Sequence, residues 1–143
     1  MKRKLFSAGA VALMMLSTSA WAKSIADLPK EEREKITTRT FEKDYDTVFK
    51  AVMTAFEDKG TPAINTDKTT GLIVSDYKGA NMGTALLRWS ASVEKIDDTH
   101  TKVKLNPAIQ TVTSDGGTVS GTFTTRFKKH YDEYFKAIEE NLK

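Results

Sequence analysis

Apolar residues along this chain either alternate with polar ones or recur at every third or fourth position. Segments that alternate, or that are rich in β-branched residues, predict strands at 35–41, 61–67, 72–78, 84–96 and 100–114, the last interrupted at Pro107. Two segments have the helical period instead. One runs from Tyr45 to about residue 58, and the other begins between Ser120 and Thr125 and continues toward the C-terminus.

This order predicts an α+β fold, β-α-β-β-β-β-α, with an antiparallel sheet of four or five strands and two helices packed on one face. The glycine-containing stretch 78–83 predicts a loop. Residues 23–34 contain Pro29 and a run of charges, which fits an N-terminal lead-in or a short helix. We therefore expect a single domain at 35–143.

The N-terminus has the three parts of a secretory signal peptide. Residues 2–4 are all basic, residues 5–16 are mostly apolar, and residues 20–22 read Ala-Trp-Ala. We expect cleavage between Ala22 and Lys23 and export to the bacterial periplasm. A short membrane anchor that stays attached is the alternative interpretation.

Removal of the signal peptide changes the charge of the chain. The full sequence has 22 Lys and Arg against 19 Asp and Glu, and three of the basic residues lie at 2–4, so 19 of each sign remain. A balanced chain does not favour nucleic-acid binding. Cysteine is absent, so we expect neither a disulfide nor a lipid anchor. The sequence contains no second long apolar segment, so we expect no transmembrane anchor in the mature form.

The stretch Asp44-Tyr45-Asp46 lies between the first predicted strand and the first predicted helix. One interpretation is an acid/base cluster. The other is that Asp44 is the helix N-cap, accepting hydrogen bonds from free backbone N–H groups, while Asp46 places negative charge at the positive end of the helix. Capping accounts for both carboxylates, and nothing nearby in the sequence supplies a nucleophile.

Common catalytic and ligand-binding motifs do not occur in the sequence. It contains no GxxxxGK[ST], GxGxxG, HExxH or GxSxG pattern. His130 and Glu133 are spaced to reach one metal ion from a helix, but a stable site usually needs three or four protein ligands. We expect no catalytic residue, no metal and no cofactor.

Three features follow one another between Arg39 and Asp76. A strand ends in an aromatic residue, a capped helix carries Tyr-Asp-x-Val-aromatic-x-Ala, and an Asp-x-x-x-Gly turn precedes an apolar strand. The residues are Phe41, Tyr45, Asp46, Val48, Phe49, Ala51, Asp67, Gly71 and Leu72. This segment resembles the helix-grip domains of the C lipoprotein of the outer-membrane barrel-assembly machinery. The resemblance implies a helix-grip-like fold and a non-enzymatic accessory role in the envelope; the chain departs from it in having one such unit and no lipid-bearing cysteine.

Two functions follow from these observations. The first is a non-catalytic periplasmic module that binds another cell-envelope protein. The alternative is a carrier or sensor of a small apolar ligand held between the C-terminal helix and the sheet. In helix-grip folds that gap can become a cavity, and here its lining would be Trp89, Phe123, Phe127 and Tyr131. The same rings would otherwise fill the gap as core.

Overall fold

A computed structural model describes residues 24–80, 85–121, 123 and 125–143 of the protein. The predicted signal peptide and its cleavage site between Ala22 and Lys23 lie outside these residues. The helices are α1 (Lys30–Thr37), α2 (Tyr45–Asp58) and α3 (Lys128–Glu140), with 3₁₀ turns at Ile25–Asp27 and Thr125–Phe127. The strands are β1 (Thr38–Phe41), β2 (Ala63–Asp67), β3 (Leu72–Ser75), β4 (Lys78–Ala80), β5 (Ala85–Arg88), β6 (Ser90–Asp97), β7 (His100–Leu105), β8 (Ala108–Val112) and β9 (Thr118–Gly121).

The strands form two antiparallel sheets that continue into one another. The order is β1-β7-β6-β3-β2 in the five-stranded sheet and β4-β5-β8-β9 in the four-stranded sheet. Three chain segments cross between the sheets, with breaks at Asp76–Tyr77, at Trp89 and at Asn106–Pro107. The predicted α+β class with antiparallel strands is therefore confirmed, and the second sheet extends the first.

One core lies between the helices and the five-stranded sheet. Helices α2 and α3 pack against each other, and α2 covers β2, β3, β6 and β7. The most deeply buried side chains come from every layer: Val48, Val52, Phe56, Ile73, Val103, Leu105 and Ile138. Ile25 of the N-terminal turn belongs to the same core. None of the helices in the described ranges is both long and apolar enough to cross a bilayer.

The first predicted strand is wrong over its first three residues. Lys35, Ile36 and Thr37 are helical, because α1 runs to Thr37 and the strand starts at Thr38. Ile36 is buried in the core from this helix, so tertiary packing outweighs the β-branched composition. The expected boundary between lead-in and domain at 34/35 thus falls inside α1.

Two further predictions of local structure are wrong. Gly79 and Ala80, expected as loop, form β4 together with Lys78, because this segment pairs with β5. Thr118–Gly121, expected at or near the start of the last helix, forms β9 and pairs with β8. The α-helix itself begins only at Lys128, after the 3₁₀ turn. In both cases a neighbouring strand supplies hydrogen-bond partners that the local sequence does not reveal.

Candidate functional site

An aromatic cluster fills the gap between α3 and the bend that joins β5 to β6. Trp89 lies at this bend and is 2% exposed. Its ring stacks on Tyr134 with centroids 4.0 Å apart and meets Tyr131 edge-on at 5.5 Å. Phe127 stacks on it at 5.7 Å. These distances lie in the range of favourable aromatic pairs, so the rings pack as core.

Backbone hydrogen bonds hold Trp89 in this position. Its N–H donates to the Ser75 hydroxyl at 3.0 Å, and the Ser75 N–H donates to the Trp89 carbonyl at 2.8 Å. Ser75 is fully buried. The backbone N–H and C=O groups of Trp89 therefore both have hydrogen-bond partners inside the core, as buried backbone groups require.

The structure brings all four predicted lining residues into this region, but they do not enclose one cavity together. Phe123 and Phe127 lie with ring centroids 4.2 Å apart, and Phe127 also contacts His130 at 4.4 Å. A pocket of about 250 Å³ lies beside the cluster, and its lining includes Phe123 and Tyr131 but neither Trp89 nor Phe127. The pocket thus faces the N-terminal turn rather than the gap under α3.

Tyr134 is the member of the cluster that the sequence did not single out as a lining residue. It stacks on Trp89, and its hydroxyl shares a hydrogen bond of 2.8 Å with that of Thr61. Burial raises the pKa of Tyr134 above its ordinary value. Its spacing of seven from Phe127 and three from Tyr131 places it on the same helical face, which was the available signal.

Asp44 lies at the N-cap of α2. Its carboxylate accepts a hydrogen bond from the Thr47 backbone N–H at 3.1 Å and from the Thr47 hydroxyl at 2.6 Å. These bonds, that of the hydroxyl first, hold the pKa of Asp44 below its usual value. Asp46 pairs with Lys68 at 2.9 Å. Asp44 thus has the geometry that capping requires, and Asp46 forms an ion pair in the first turn of the helix.

The two histidines each contact a single carboxylate. His100 Nδ1 lies 2.9 Å from Asp97, and His130 Nδ1 lies 3.8 Å from Glu133. The pKa of Asp97 is lowered to about 2, first by the Thr99 backbone N–H and then by the His100 ring. Among the described residues, no three His, Asp or Glu side chains converge as metal ligands.

The edge strand β9 is exposed along its whole length. All four of its residues are exposed, none is charged, and Val119 is 58% exposed. The opposite edge, β2, carries a register irregularity between Ala63 and Asn65. Bulges and charges usually protect an edge from pairing with other chains. Strand β9 has neither protection.

The hairpin geometry shows which groups of β9 are free. The Thr113 N–H donates to the Gly117 carbonyl at 2.8 Å and closes the hairpin between β8 and β9. Because hydrogen-bonded and non-bonded pairs alternate along an antiparallel ladder, Val119 pairs with β8 through its backbone. The backbone N–H and C=O groups of Thr118 and Ser120 therefore point away from β8, toward solvent.

Comparison with known proteins shows a distant structural likeness but no related sequence. The sequence matches no protein-family model and no curated protein. The crystal structure of a DUF4468 family protein from Bacteroides ovatus is similar over 73% of this chain and 84% of that chain, with a TM-score of 0.45 and 9% identity. At this level of similarity the likeness supports no conclusion about function.

Proposed function

We propose that the exported protein is a non-catalytic interaction module of the periplasm that binds an extended segment of another cell-envelope protein along β9. The observation that carries this proposal is the unprotected edge of the four-stranded sheet. An extended peptide can add a strand to such an edge, with backbone hydrogen bonds supplying affinity and alternate side chains supplying specificity.

The chemistry of β9 limits the kind of segment that would pair with it. Its residues read Thr-Val-Ser-Gly and carry no charge, and Val119 offers an apolar contact on one face. The register places Val119 opposite Thr111 of β8, which lies opposite Ala85 of β5. A partner strand with uncharged, β-branched side chains would therefore suit this edge best.

The packing under α3 also supports partner binding over the carrier alternative. Trp89 contacts Phe127, Tyr131 and Tyr134 at centroid distances of 4.0 to 5.7 Å. A ligand in the predicted gap would have to displace these rings from each other. The resemblance of residues 39–76 to envelope accessory domains is in keeping with a role in binding rather than in catalysis.

Substitution of Ser120 tests the edge directly. Ser120→Pro removes the outward N–H without touching a hydrogen bond to β8, and proline is tolerated on edge strands. The matched control Ser120→Ala keeps the N–H. Tagged forms of the wild type and both variants, recovered from the periplasm, would be used to capture envelope proteins for identification by mass spectrometry.

We expect a partner protein that the wild type and Ser120→Ala capture and that Ser120→Pro does not. The two variants should have equal melting temperatures, so that a loss of capture does not reflect a loss of folding. Capture that is the same with all three forms would refute binding along β9. A wild-type dimer that Ser120→Pro dissociates would instead identify the bound segment as β9 of a second copy.

A further inference from the structure

The N-terminal turn contacts the chain just beyond the C-terminal end of β9. Ile25 is 5% exposed and belongs to the core, and its backbone N–H donates to the Phe123 carbonyl at 2.7 Å. Phe123 lies shortly after the last residue of β9, and its ring packs on that of Phe127, which precedes α3. The turn thus holds the connection between β9 and the last helix.

The ladder between β8 and β9 explains why the Phe123 carbonyl needs this donor. Bonded pairs alternate along the ladder from the hairpin, and the last of them within the two strands is Ile109 with Gly121. In the same register, the next bonded pair would be Pro107 with Phe123. Proline has no N–H, so the chain before β8 cannot supply a donor there. The Ile25 N–H takes that place, and Ile25, Pro107 and Phe123 line the same pocket.

The N-terminal turn is a small local unit. The Asp27 N–H donates to the Ser24 carbonyl at 3.1 Å, and Arg33 of α1 donates to the Ala26 carbonyl at 3.2 Å. Within the turn, Ile25 alone is buried. A segment with few buried contacts opens at a lower free energy than the core of a domain, so this turn can open without the unfolding of either sheet.

We propose that the N-terminal turn is a latch for the β9 edge. While Ile25 is docked, it fixes the end of β9, and its release loosens the strand and weakens pairing with an added segment. The outward backbone groups of Thr118 and Ser120 must keep their geometry to bond such a segment. A loosened strand has to be ordered on binding, which lowers the affinity. The effect on binding rests on the proposed function of β9, whereas the docking of Ile25 can be tested by itself.

Two variants of Ile25 separate the effect of its N–H from that of its side chain. Ile25→Pro removes the donor, whereas Ile25→Val keeps the donor on a side chain of similar size to proline. Proline is tolerated at the first position of a helical turn. The dihedral angles of Ser24, φ −64° and ψ 138°, also suit a residue that precedes proline. The two variants therefore differ mainly in the hydrogen bond to Phe123.

Hydrogen exchange of the backbone amides, followed by nuclear magnetic resonance, measures the latch. The Gly121 N–H bonds to β8 and should exchange about fivefold faster in Ile25→Pro than in Ile25→Val, because the end of β9 loses a hydrogen bond. The Gly71 N–H, which donates to the Asp67 carbonyl at 2.8 Å in the turn between β2 and β3, should exchange equally in both. Equal rates at Gly121, or the same acceleration at Gly71, would overturn the latch.

Capture of a partner tests the effect of the latch on binding. At sub-saturating concentration, Ile25→Val should capture the partner of the wild type, and Ile25→Pro should capture about fivefold less of it. Equal capture by the two variants would refute the effect on binding. If the wild type captured no partner, the proposed function and its regulation would both be refuted, and the exchange rates would still decide whether Ile25 holds the end of β9.

Discussion

Asp44 starts α2 through hydrogen bonds that stay within three residues of the chain. Its carboxylate accepts from both the backbone N–H and the hydroxyl of Thr47. The first four N–H groups of a helix have no partner in the helix, and a side-chain oxygen at the N-cap satisfies one of them. Because all the participating groups are neighbours in sequence, the order of residues alone was enough to predict this role.

Replacing Asp44 tests the cap. Asp44→Ala should lower the melting temperature by about 2–6 °C, because one helix N–H loses its partner. Asp44→Ser keeps an oxygen at the N-cap and should melt within about 2 °C of the wild type. Thermal melts followed by circular dichroism measure both. If the two variants melted together, the carboxylate would not be acting as a cap.

The turn between β2 and β3 is held by hydrogen bonds within the turn and by a hydrogen bond to β6. The Asp67 carboxylate accepts from the Thr69 N–H at 2.9 Å and the Thr70 N–H at 3.3 Å. Gly71 then adopts a φ of +79°, and its carbonyl accepts from the Val93 N–H of β6 at 2.8 Å. A β-carbon on Gly71 would collide with the Val93 carbonyl. The turn therefore requires glycine both for its dihedral angle and for its approach to β6.

Gly71→Ala should accordingly destabilise the protein by roughly 2 kcal/mol or more, since the left-handed conformation is strained for alanine and a backbone atom blocks the new methyl group. Gly79→Ala is the matched control, because a β-carbon on Gly79 meets no described atom within 4 Å. The free energy of unfolding would be obtained from denaturant titrations. Similar losses in the two variants would contradict the close approach of Gly71 to β6.

At the scale of the whole molecule, Trp89 lies where the two sheets and the last helix contact one another. It lies between β5 and β6, where one sheet passes into the other, and it contacts α3 through Tyr131 and Tyr134. Its backbone is bonded to Ser75 at the end of β3. The position of this ring therefore depends on both sheets and on the last helix at once.

Trp89 fluorescence should consequently report the unfolding of the entire domain. Trp21 lies in the predicted signal peptide, so Trp89 would be the sole tryptophan once that peptide is removed. We expect its emission to be blue-shifted in the native protein. In a denaturant titration, its red shift should coincide with the loss of far-ultraviolet circular dichroism, as a two-state transition requires. A red shift at clearly lower denaturant would mean that α3 detaches before the sheets unfold.

The sequence by itself determined the features that depend on neighbouring residues. The N-cap at Asp44, the turn ending at Gly71 and the break at Pro107 all use local backbone chemistry. Within the predicted strand 84–96, Ala85, Trp89, Ala91 and Val93 are buried, because the side-chain period of a strand persists through the bend at Trp89. These signals were sufficient for the α+β class and for the antiparallel pairing.

Only the tertiary structure decided which segments with weak local preference become strands. It also decided where the β9 edge and the pocket beside the aromatic cluster lie. Thr118–Gly121 is a strand because the hairpin brings it beside β8, whereas only Thr118 and Val119 of its four residues are typical of strands. The pocket brings together Ser24, Arg33, Lys104 and Tyr131, which are far apart in the chain. The periodicity of the sequence does not predict that these residues lie close together. Their proximity results from the bends that turn three chain segments from one sheet into the other and from the packing of α1 and α3 beside them.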